Sequence, residues 1–352
     1  KPILNQFLLA LSLGFGQFFV GGLVVQYFLP PSIDVNPLMG CLIEVGFEGG
    51  HGAASIIGES FNRLGFQNGL DLGLAMATMG LLSSSILGSI FIFIGRTLGL
   101  SDTKEILEKK DNLEGNNKIR IFADLRILLI NLGFAGLAIS FGILLLNFLR
   151  YISSAFGDFS KEIIFSLPVF PFILIGSLLI RYILEKTKNT EFISNILQRE
   201  IGILSTDLLI FTAMASLDIA VVFDNWILIL VFTIFGLFWN LICIAYFAYF
   251  IFDDYWFEKS LIEFGNSTGV VASGLLLLRL ADPKNISKTL PIFTSKQLFA
   301  QLILSGGLFT VLAPLMISKI GLDYWTEICA LITFAILFIA LIFNKVEMKK
   351  FQ

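Results

Sequence analysis

The chain has 352 residues, of which 56% are hydrophobic and only 14% are charged, and its formal net charge is −3. A soluble domain carries roughly 25% charged residues, so this composition excludes an ordinary soluble protein and indicates an integral membrane protein. No basic stripe alternates with aromatic residues, and no nucleic-acid partner is therefore predicted.

Long apolar segments recur along the whole chain. About 20 apolar residues cross the hydrocarbon core of a bilayer as one helix. By this criterion we predict eight spans, at about 3–28, 70–97, 122–149, 162–185, 203–222, 225–252, 297–318 and 324–345. The span at 203–222 is the weakest, because Asp207 and Asp218 flank only ten uncharged residues.

Two glycine-rich segments lie between the predicted spans. Residues 42–54 read LIEVGFEGGHGAA and residues 261–273 read LIEFGNSTGVVAS, with six identical positions at an offset of 219. Each glycine inside a helix costs about 1 kcal/mol relative to alanine, so a cluster of them favours a break. The sequence therefore predicts an interrupted helix in each segment.

The lengths of the two segments predict hairpins that enter the membrane without crossing it. Eleven residues separate Gly52 from Arg63, and ten separate Gly269 from Arg279. At 1.5 Å per residue these arms are roughly 15 Å long, about half of the 30 Å hydrocarbon core. We predict re-entrant hairpins at 40–63 and 256–281.

Positive charge predicts the orientation of the spans. Alternating the eight spans places 20 of the 24 Lys and Arg residues on one face, which the positive-inside rule makes cytoplasmic. Both termini then lie on the cytoplasmic side, and the predicted location of the protein is the plasma (inner) membrane. Five predicted spans separate the hairpins, so the hairpins enter from opposite sides.

The sequence thus divides into two inverted repeats, residues 1–149 and 150–352. The offset of 219 carries span 3–28 onto 225–252 and span 70–97 onto 297–318. Spans 162–185 and 203–222 have no counterpart in the first repeat. The sequence also begins with Lys1 and enters an apolar run at once, and we expect about two further N-terminal spans.

Inverted repeats with broken helices near the membrane midplane are typical of secondary transporters. Irregular backbone in the membrane is tolerated only where it lines a site filled by water or ligand. The amino-terminal ends of half-helices attract an anionic group, and freed carbonyl groups suit a cation such as sodium. The predicted fold class is an all-α polytopic membrane protein with inverted-topology repeats, each of which carries a re-entrant hairpin.

Several motifs resemble one known family. GGHGAA at 49–54 with LGFQNGLDLGLAMATMGLL at 64–82, STDLLIFTAMASLDIAVV at 205–222 followed by DNW, and DDYWFEKSLIEFGNSTGVVASGLLLLRLADP at 253–283 resemble the bacterial sodium/glutamate symporter (ESS) family in the same order. The resemblance implies ten spans with two hairpins, a transport (core) domain that moves against a scaffold domain, and a homodimer. It also implies Na⁺-coupled symport of glutamate or a similar small acidic solute by alternating access. It implies no cofactor besides the coupling ion.

The candidate binding residues come from the two glycine-rich segments and the spans near them. They are Gly49, Gly50, His51, Gly52, Asn266, Ser267, Thr268, Gly269, Thr78, Ser83 and Asp207. His51 is the sole histidine, so polar lining is a better interpretation than a metal site. Glu44 and Glu263 occupy matching positions, and both a functional role and a structural hydrogen bond within each hairpin stay open.

Other functions remain as alternatives. A carrier of the same fold could move another carboxylate or couple to protons, and an ion channel is a more distant alternative. An intramembrane enzyme is disfavoured, because a single histidine excludes the H-E-x-x-H zinc motif and the sequence has no serine-centred nucleophile elbow.

Overall fold

The computed structural model describes residues 1–29, 35–100, 125–153, 157, 161, 164–165, 167, 169–188 and 193–348, and the statements below concern those residues. In these ranges every regular element is a helix, as the apolar segments predicted. The predicted spans at 122–149 and 162–185 begin partly outside the described residues.

The helices are numbered in chain order. They are α1 Pro2–Leu23, α2 Leu42–Gly46, α3 Gly50–Arg63, α4 Gly69–Thr97, α5 Leu125–Ser153, α6 Phe170–Lys186, α7 Asn195–Ser216, α8 Ile219–Asp224, α9 Trp226–Ile242, α10 Ala248–Ile251, α11 Trp256–Ala281, α12 Thr289–Ile303, α13 Leu308–Ile320 and α14 Leu322–Met348. A 3₁₀ turn, Pro37–Cys41, leads into α2. One π-helical turn extends α1 over Val24–Phe28, and another joins α9 to α10 over Cys243–Phe247.

Seven helical stretches in the described residues are long and apolar enough to cross a membrane. They are Pro2–Phe28, Gly69–Thr97, Ile127–Ser153, Trp226–Ile251, Trp256–Ala281, Thr289–Ile320 and Leu322–Ile342. Six of them correspond to predicted spans, and the chain is a multi-pass membrane protein. The other, Trp256–Ala281, is the segment for which the sequence predicted the second hairpin.

The predicted span at 203–222 is wrong in its boundaries. Helix α7 ends at Ser216, and a separate short helix, α8, begins at Ile219. The interruption is stabilised by Asp218, whose carboxylate accepts a hydrogen bond of 2.9 Å from the backbone N–H of Ala220. An aspartate in this N-cap position ends one helix and starts another, which the hydropathy of the segment alone does not reveal.

The chain forms two compact units, residues 1–104 with 213–352, and residues 105–212. In the smaller unit α5 packs closely on α6, since a Cβ atom built on Gly142 would lie 2.6 Å from the backbone nitrogen of Ile173. Asn131 of α5 also accepts a hydrogen bond of 3.1 Å from the N–H of Ser194. The larger unit contains both glycine-rich segments.

The first glycine-rich segment folds back on itself between α2 and α3. A Cβ atom built on Gly73 of α4 would lie 3.2 Å from Ala54 Cβ and 3.9 Å from Val45 Cγ1, so these two residues lie at the same level of α4. In a straight helix they would be roughly 13 Å apart. We call residues 40–63 the first hairpin and residues 47–52 its tip.

The second glycine-rich segment also turns back, within α11. The backbone leaves the helical conformation at Gly269 (φ −146°, ψ 38°) and Val270 (φ 64°, ψ 172°). A Cβ atom built on Gly265 would lie 2.5 Å from the Cα of Gly274, nine residues along the chain. We call residues 256–281 the second hairpin and residues 266–270 its tip.

Helix α4 carries both hairpins along its length. The first hairpin packs on its amino-terminal half, where Phe61 lies against Gly69 and Met76 against Gly46. The second hairpin packs on its carboxy-terminal half, where Leu277 lies against Gly88. The two hairpins therefore approach the middle of α4 from its opposite ends.

Candidate functional site

The tips of the two hairpins meet beside the middle of α4. A Cβ atom built on Gly50 would lie 2.3 Å from Val270 Cγ1, which places the two tips in direct contact. A Cβ atom built on Gly80 of α4 would lie 2.2 Å from the carbonyl oxygen of Thr268 and 2.8 Å from Phe47 Cδ1. Only glycine leaves room for both tips at this position.

The second tip is a buried polar segment. Asn266, Ser267 and Thr268 are each at most 1% exposed, so the predicted polar tip lies inside the protein and not in a surface loop. The Ser267 carbonyl oxygen accepts a hydrogen bond of 2.6 Å from Gln17 Nε2, and Asn240 Nδ2 donates to Thr268 Oγ1 at 2.9 Å. These amides satisfy groups that the helix break would otherwise leave unpaired.

Gln17 and Asn240 are site residues that the sequence analysis missed. Gln17 lies on α1 and Asn240 on α9, and Gln17 Nε2 also donates to Asn240 Oδ1 at 3.0 Å. Both side chains are fully buried. The sequence did contain a sign of their role, because each is an amide side chain in the interior of a long apolar span. Such a group needs a polar partner there.

The first tip contributes a histidine and the start of a half-helix. Helix α3 begins at Gly50, whose φ of +65° lies in the left-handed region that glycine adopts without steric cost. His51 Nε2 lies 3.2 Å from Thr78 Oγ1, which itself donates to the Leu74 carbonyl oxygen at 2.9 Å. The structure therefore joins two of the predicted residues, His51 and Thr78, in one hydrogen-bonded group.

The glycines of the first tip differ in the space around them. A Cβ atom built on Gly49 would lie 2.6 Å from the Val45 carbonyl oxygen, so Gly49 packs tightly within its own hairpin. At Gly52 a built Cβ atom would meet nothing within 4 Å. Gly52, two residues from Gly50 where the tips meet, thus borders open space.

Helix α4 faces the second tip through Ser84. A Cβ atom built on Gly269 would lie 2.2 Å from Ser84 Oγ, and Ser84 is fully buried. Ser83, the predicted residue, is half-buried and adjacent in sequence. Successive helical residues point about 100° apart, so Ser84 is the hydroxyl that the structure brings to the tip.

Asp207 lies apart in sequence from these residues. It belongs to the smaller compact unit, where it is exposed on α7. Its role in ion coordination stays a prediction.

The two matching carboxylates, Glu44 and Glu263, do not bond within their own hairpins, and that interpretation is wrong. Glu44 Oε1 accepts from Thr310 Oγ1 at 2.6 Å and from the Ser305 N–H at 3.1 Å. Glu263 Oε2 accepts from Lys296 Nζ at 2.8 Å. These partners belong to α12, α13 and their connection, which follow the second hairpin, so both hairpins are tied to that segment.

The fold defines a polytopic α-helical membrane protein in which two broken helices gather polar groups inside an apolar protein. The sequence model of the family described as sodium/glutamate symporter matches residues 3–255, more than two thirds of the chain, and the chain belongs to this family. The match includes the first hairpin and ends just before the second. Comparisons with curated proteins and with solved structures give no match.

Family membership identifies the chain as a transporter and makes sodium-coupled transport its expected activity. It also accounts for the resemblance found in the sequence motifs. The location in a membrane follows independently from the apolar helices.

Proposed function

We propose that this protein is a secondary transporter that carries glutamate, or a similar small acidic solute, together with Na⁺ by alternating access. The observation that supports this function most strongly is the contact between the two hairpin tips at Gly50 and Val270, beside Gly80 of α4. Broken helices that converge near the midplane form the substrate and ion sites of many secondary transporters.

The geometry of α4 supports re-entrant hairpins of opposite orientation. Its 29 residues correspond to roughly 43 Å of helix, enough to cross a bilayer. The hairpins lie along opposite halves of this helix, and each arm has about half of its length. In our proposal each hairpin therefore enters from a different side and ends near the membrane midplane.

The offset of 219 supports inverted repeats at 1–149 and 150–352. It relates the helix break at Gly50 to the break at Gly269. It also relates the π-helical turn Val24–Phe28 to the turn Cys243–Phe247. Matching irregularities at matching positions favour a shared ancestral repeat over a chance likeness of glycine clusters.

The acidic substrate binds, in this proposal, at the amino-terminal end of α3. The first N–H groups of a helix and its macrodipole favour an anion, and α3 is 14 residues long. Gly52 borders open space at this end, and His51 and Thr78 line it. In this proposal the polar groups of Asn266, Ser267 and Thr268 at the second tip complete the substrate site.

Alternating access requires one part of the protein to move against another. We propose a mobile transport domain that contains both hairpins, a scaffold domain, and a homodimer in the plasma (inner) membrane. The 20:4 distribution of Lys and Arg supports cytoplasmic termini.

Transport into liposomes tests this function directly. Purified full chain reconstituted in liposomes should accumulate radiolabelled glutamate when an inward Na⁺ gradient is imposed. Uptake should stop when choline replaces Na⁺. Liposomes that carry a Gly80→Val variant provide the matched control, because the added side chain would overlap the Thr268 carbonyl oxygen.

Competition and gradient experiments separate the alternatives. Excess unlabelled glutamate, aspartate and dicarboxylic acids should show which carboxylate displaces the label best. Uptake driven by a proton gradient and indifferent to Na⁺ would contradict sodium coupling. Currents far above carrier turnover rates would instead indicate a channel.

A further inference from the structure

A second group of buried polar residues lies where the chain is interrupted between α12 and α13. The backbone turns at Ser305 (φ 59°) and Gly306 (φ 85°). Glu44 and Glu48 of the first hairpin contact this turn, and they are 0% and 2% exposed. The proposed substrate site does not use these carboxylates.

Ser305 brings the two carboxylates together. Its backbone N–H donates to Glu44 Oε1 at 3.1 Å, and its hydroxyl donates to Glu48 Oε1 at 3.0 Å. Thr310 Oγ1 donates to Glu44 Oε1 at 2.6 Å. Two acidic side chains thus share one small buried site whose other members are hydroxyl groups and a backbone N–H.

Each carboxylate has one oxygen atom without a partner. Glu44 Oε2 and Glu48 Oε2 are inaccessible to solvent and make no hydrogen bond. Within the ranges that the structure describes, no lysine or arginine forms an ion pair with either side chain. Buried carboxylates are ordinarily paired with a cation or bound to a metal ion, because their transfer out of water is costly.

The second hairpin shows how the equivalent position is neutralised. Glu263 corresponds to Glu44 at the offset of 219, and Lys296 Nζ lies 2.8 Å from Glu263 Oε2 with both side chains fully buried. Lys296 also exerts an electrostatic effect on Glu48, but its hydrogen bond goes to Glu263. Glu44 is not among the carboxylates that Lys296 contacts or influences, and in the described residues neither Glu44 nor Glu48 has a cation of its own.

We infer that Glu44 and Glu48, together with Ser305 and Thr310, form a binding site for a Na⁺ ion that takes the place held by the Lys296 ammonium in the second hairpin. The ion contacts the free oxygen atoms Glu44 Oε2 and Glu48 Oε2. The site lies on the side of the first hairpin that faces the α12–α13 turn.

The ligand set fits a monovalent hard cation. Carboxylate and hydroxyl oxygen atoms are hard ligands, and the site is closed to solvent. A Ca²⁺ ion takes six to eight oxygen ligands and Mg²⁺ keeps several water molecules, and neither arrangement matches four side chains in a dry site.

The inference deepens the proposed function, on which its role in coupling rests. A bound Na⁺ ion ties the first hairpin to the α12–α13 turn by cancelling the repulsion between two carboxylates. Its departure weakens that attachment. Occupancy of this site would thus control how firmly one of the two hairpins is held.

Ion binding is measured without transport, on the purified full chain in lipid nanodiscs. Thermal unfolding is followed while NaCl replaces choline chloride at constant ionic strength. The midpoint of wild-type unfolding should rise with Na⁺, and K⁺ and Ca²⁺ should have weaker effects. In Glu44→Gln and Glu48→Gln the Na⁺ concentration needed for half of the shift should increase at least tenfold, and the shift should vanish in the double variant.

Two controls separate loss of binding from misfolding. Glu59→Gln removes an exposed carboxylate from the same hairpin and should keep the full Na⁺ response. In choline buffer the Glu44→Gln and Glu48→Gln variants should unfold at or above the wild-type midpoint, because an uncompensated buried charge has been removed. Ser305→Lys, which supplies a resident ammonium, should be stable in choline and insensitive to Na⁺.

The outcomes are decisive. A full Na⁺ response in the double glutamine variant overturns the site, and so does a wild-type protein that responds to Ca²⁺ or to acid but not to Na⁺. Glutamate uptake does not enter this test. A protein that fails to carry glutamate but loses its Na⁺ response in the double variant refutes the proposed substrate and retains the site.

Discussion

Breaking the buried ion pair between Glu263 and Lys296 is the strongest single test of the packing described above. Both side chains are fully buried, Nζ lies 2.8 Å from Oε2, and the ammonium also lies 4.6 Å from the centre of the Phe293 ring. Lys296→Met removes the ammonium and leaves Glu263 as an uncompensated charge in an apolar interior. Breaking a buried pair in this way costs about 3–5 kcal/mol.

The double variant Glu263→Gln/Lys296→Met should be much less damaging. Replacing both ions removes the costs of burying them as well as their attraction, so its stability should lie within about 1–2 kcal/mol of the wild type. At roughly 1.4 kcal/mol per factor of ten, the single variant should lower the folding equilibrium constant by about two to three and a half powers of ten. The two substitutions should thus be strongly non-additive.

The assay is reversible unfolding in mixed micelles, followed by tryptophan fluorescence. An exposed pair serves as the control: Arg181→Ala breaks an i,i+4 contact of 3.0 Å to Glu185, with side chains 66% and 55% exposed. This substitution should cost about 0.5 kcal/mol or less. A Lys296→Met variant that is as stable as the control, or a double variant in which the two costs add, would refute the reasoning.

Four further substitutions test the site. Gly80→Ala places a Cβ atom 2.2 Å from the Thr268 carbonyl oxygen and should abolish uptake. Gly52→Ala adds a Cβ atom that meets nothing within 4 Å and should keep the protein folded. Equal loss of folded protein in both variants would contradict the tip geometry. Asn240→Ala removes the donor to Thr268 Oγ1 and should lower the unfolding free energy by about 1–3 kcal/mol, and an unchanged midpoint would show that this bond is unimportant. Val270→Gly relieves a backbone conformation that costs about 1–3 kcal/mol, but it adds roughly 1 kcal/mol of chain entropy and removes the Cγ1 atom that contacts Gly50. The midpoint should therefore stay close to that of the wild type, and a clear fall would argue against strain.

The sequence was sufficient to predict that this is a membrane protein and to locate the breaks in its helices. Apolar segments of about 20 residues permit few structures other than transmembrane helices, because backbone groups in lipid must bond within their own segment. Glycine clusters also mark helix breaks for a local reason, because the free-energy cost of glycine in a helix does not depend on what the helix packs against. The interruptions at Gly50 and Gly269 therefore fall within the quoted motifs.

The sequence was less informative about the partners of polar side chains. Spacing identified the matching residues Glu44 and Glu263, but a hydrogen bond within each hairpin, one of the two interpretations left open, named the wrong partners. Which of Ser83 and Ser84 faces the second tip depends on the rotation of α4, and the run of hydroxyl residues is compatible with either.

Only the tertiary structure decided how distant polar groups pair inside the protein. Gln17 and Asn240 stand 223 positions apart, and each looks like an isolated amide in an apolar helix until α1 and α9 bring them to the Ser267 carbonyl oxygen. Hydropathy is a property of one segment, whereas a buried hydrogen bond or ion pair needs two segments in a fixed orientation. That orientation is set by packing along the whole length of the helices.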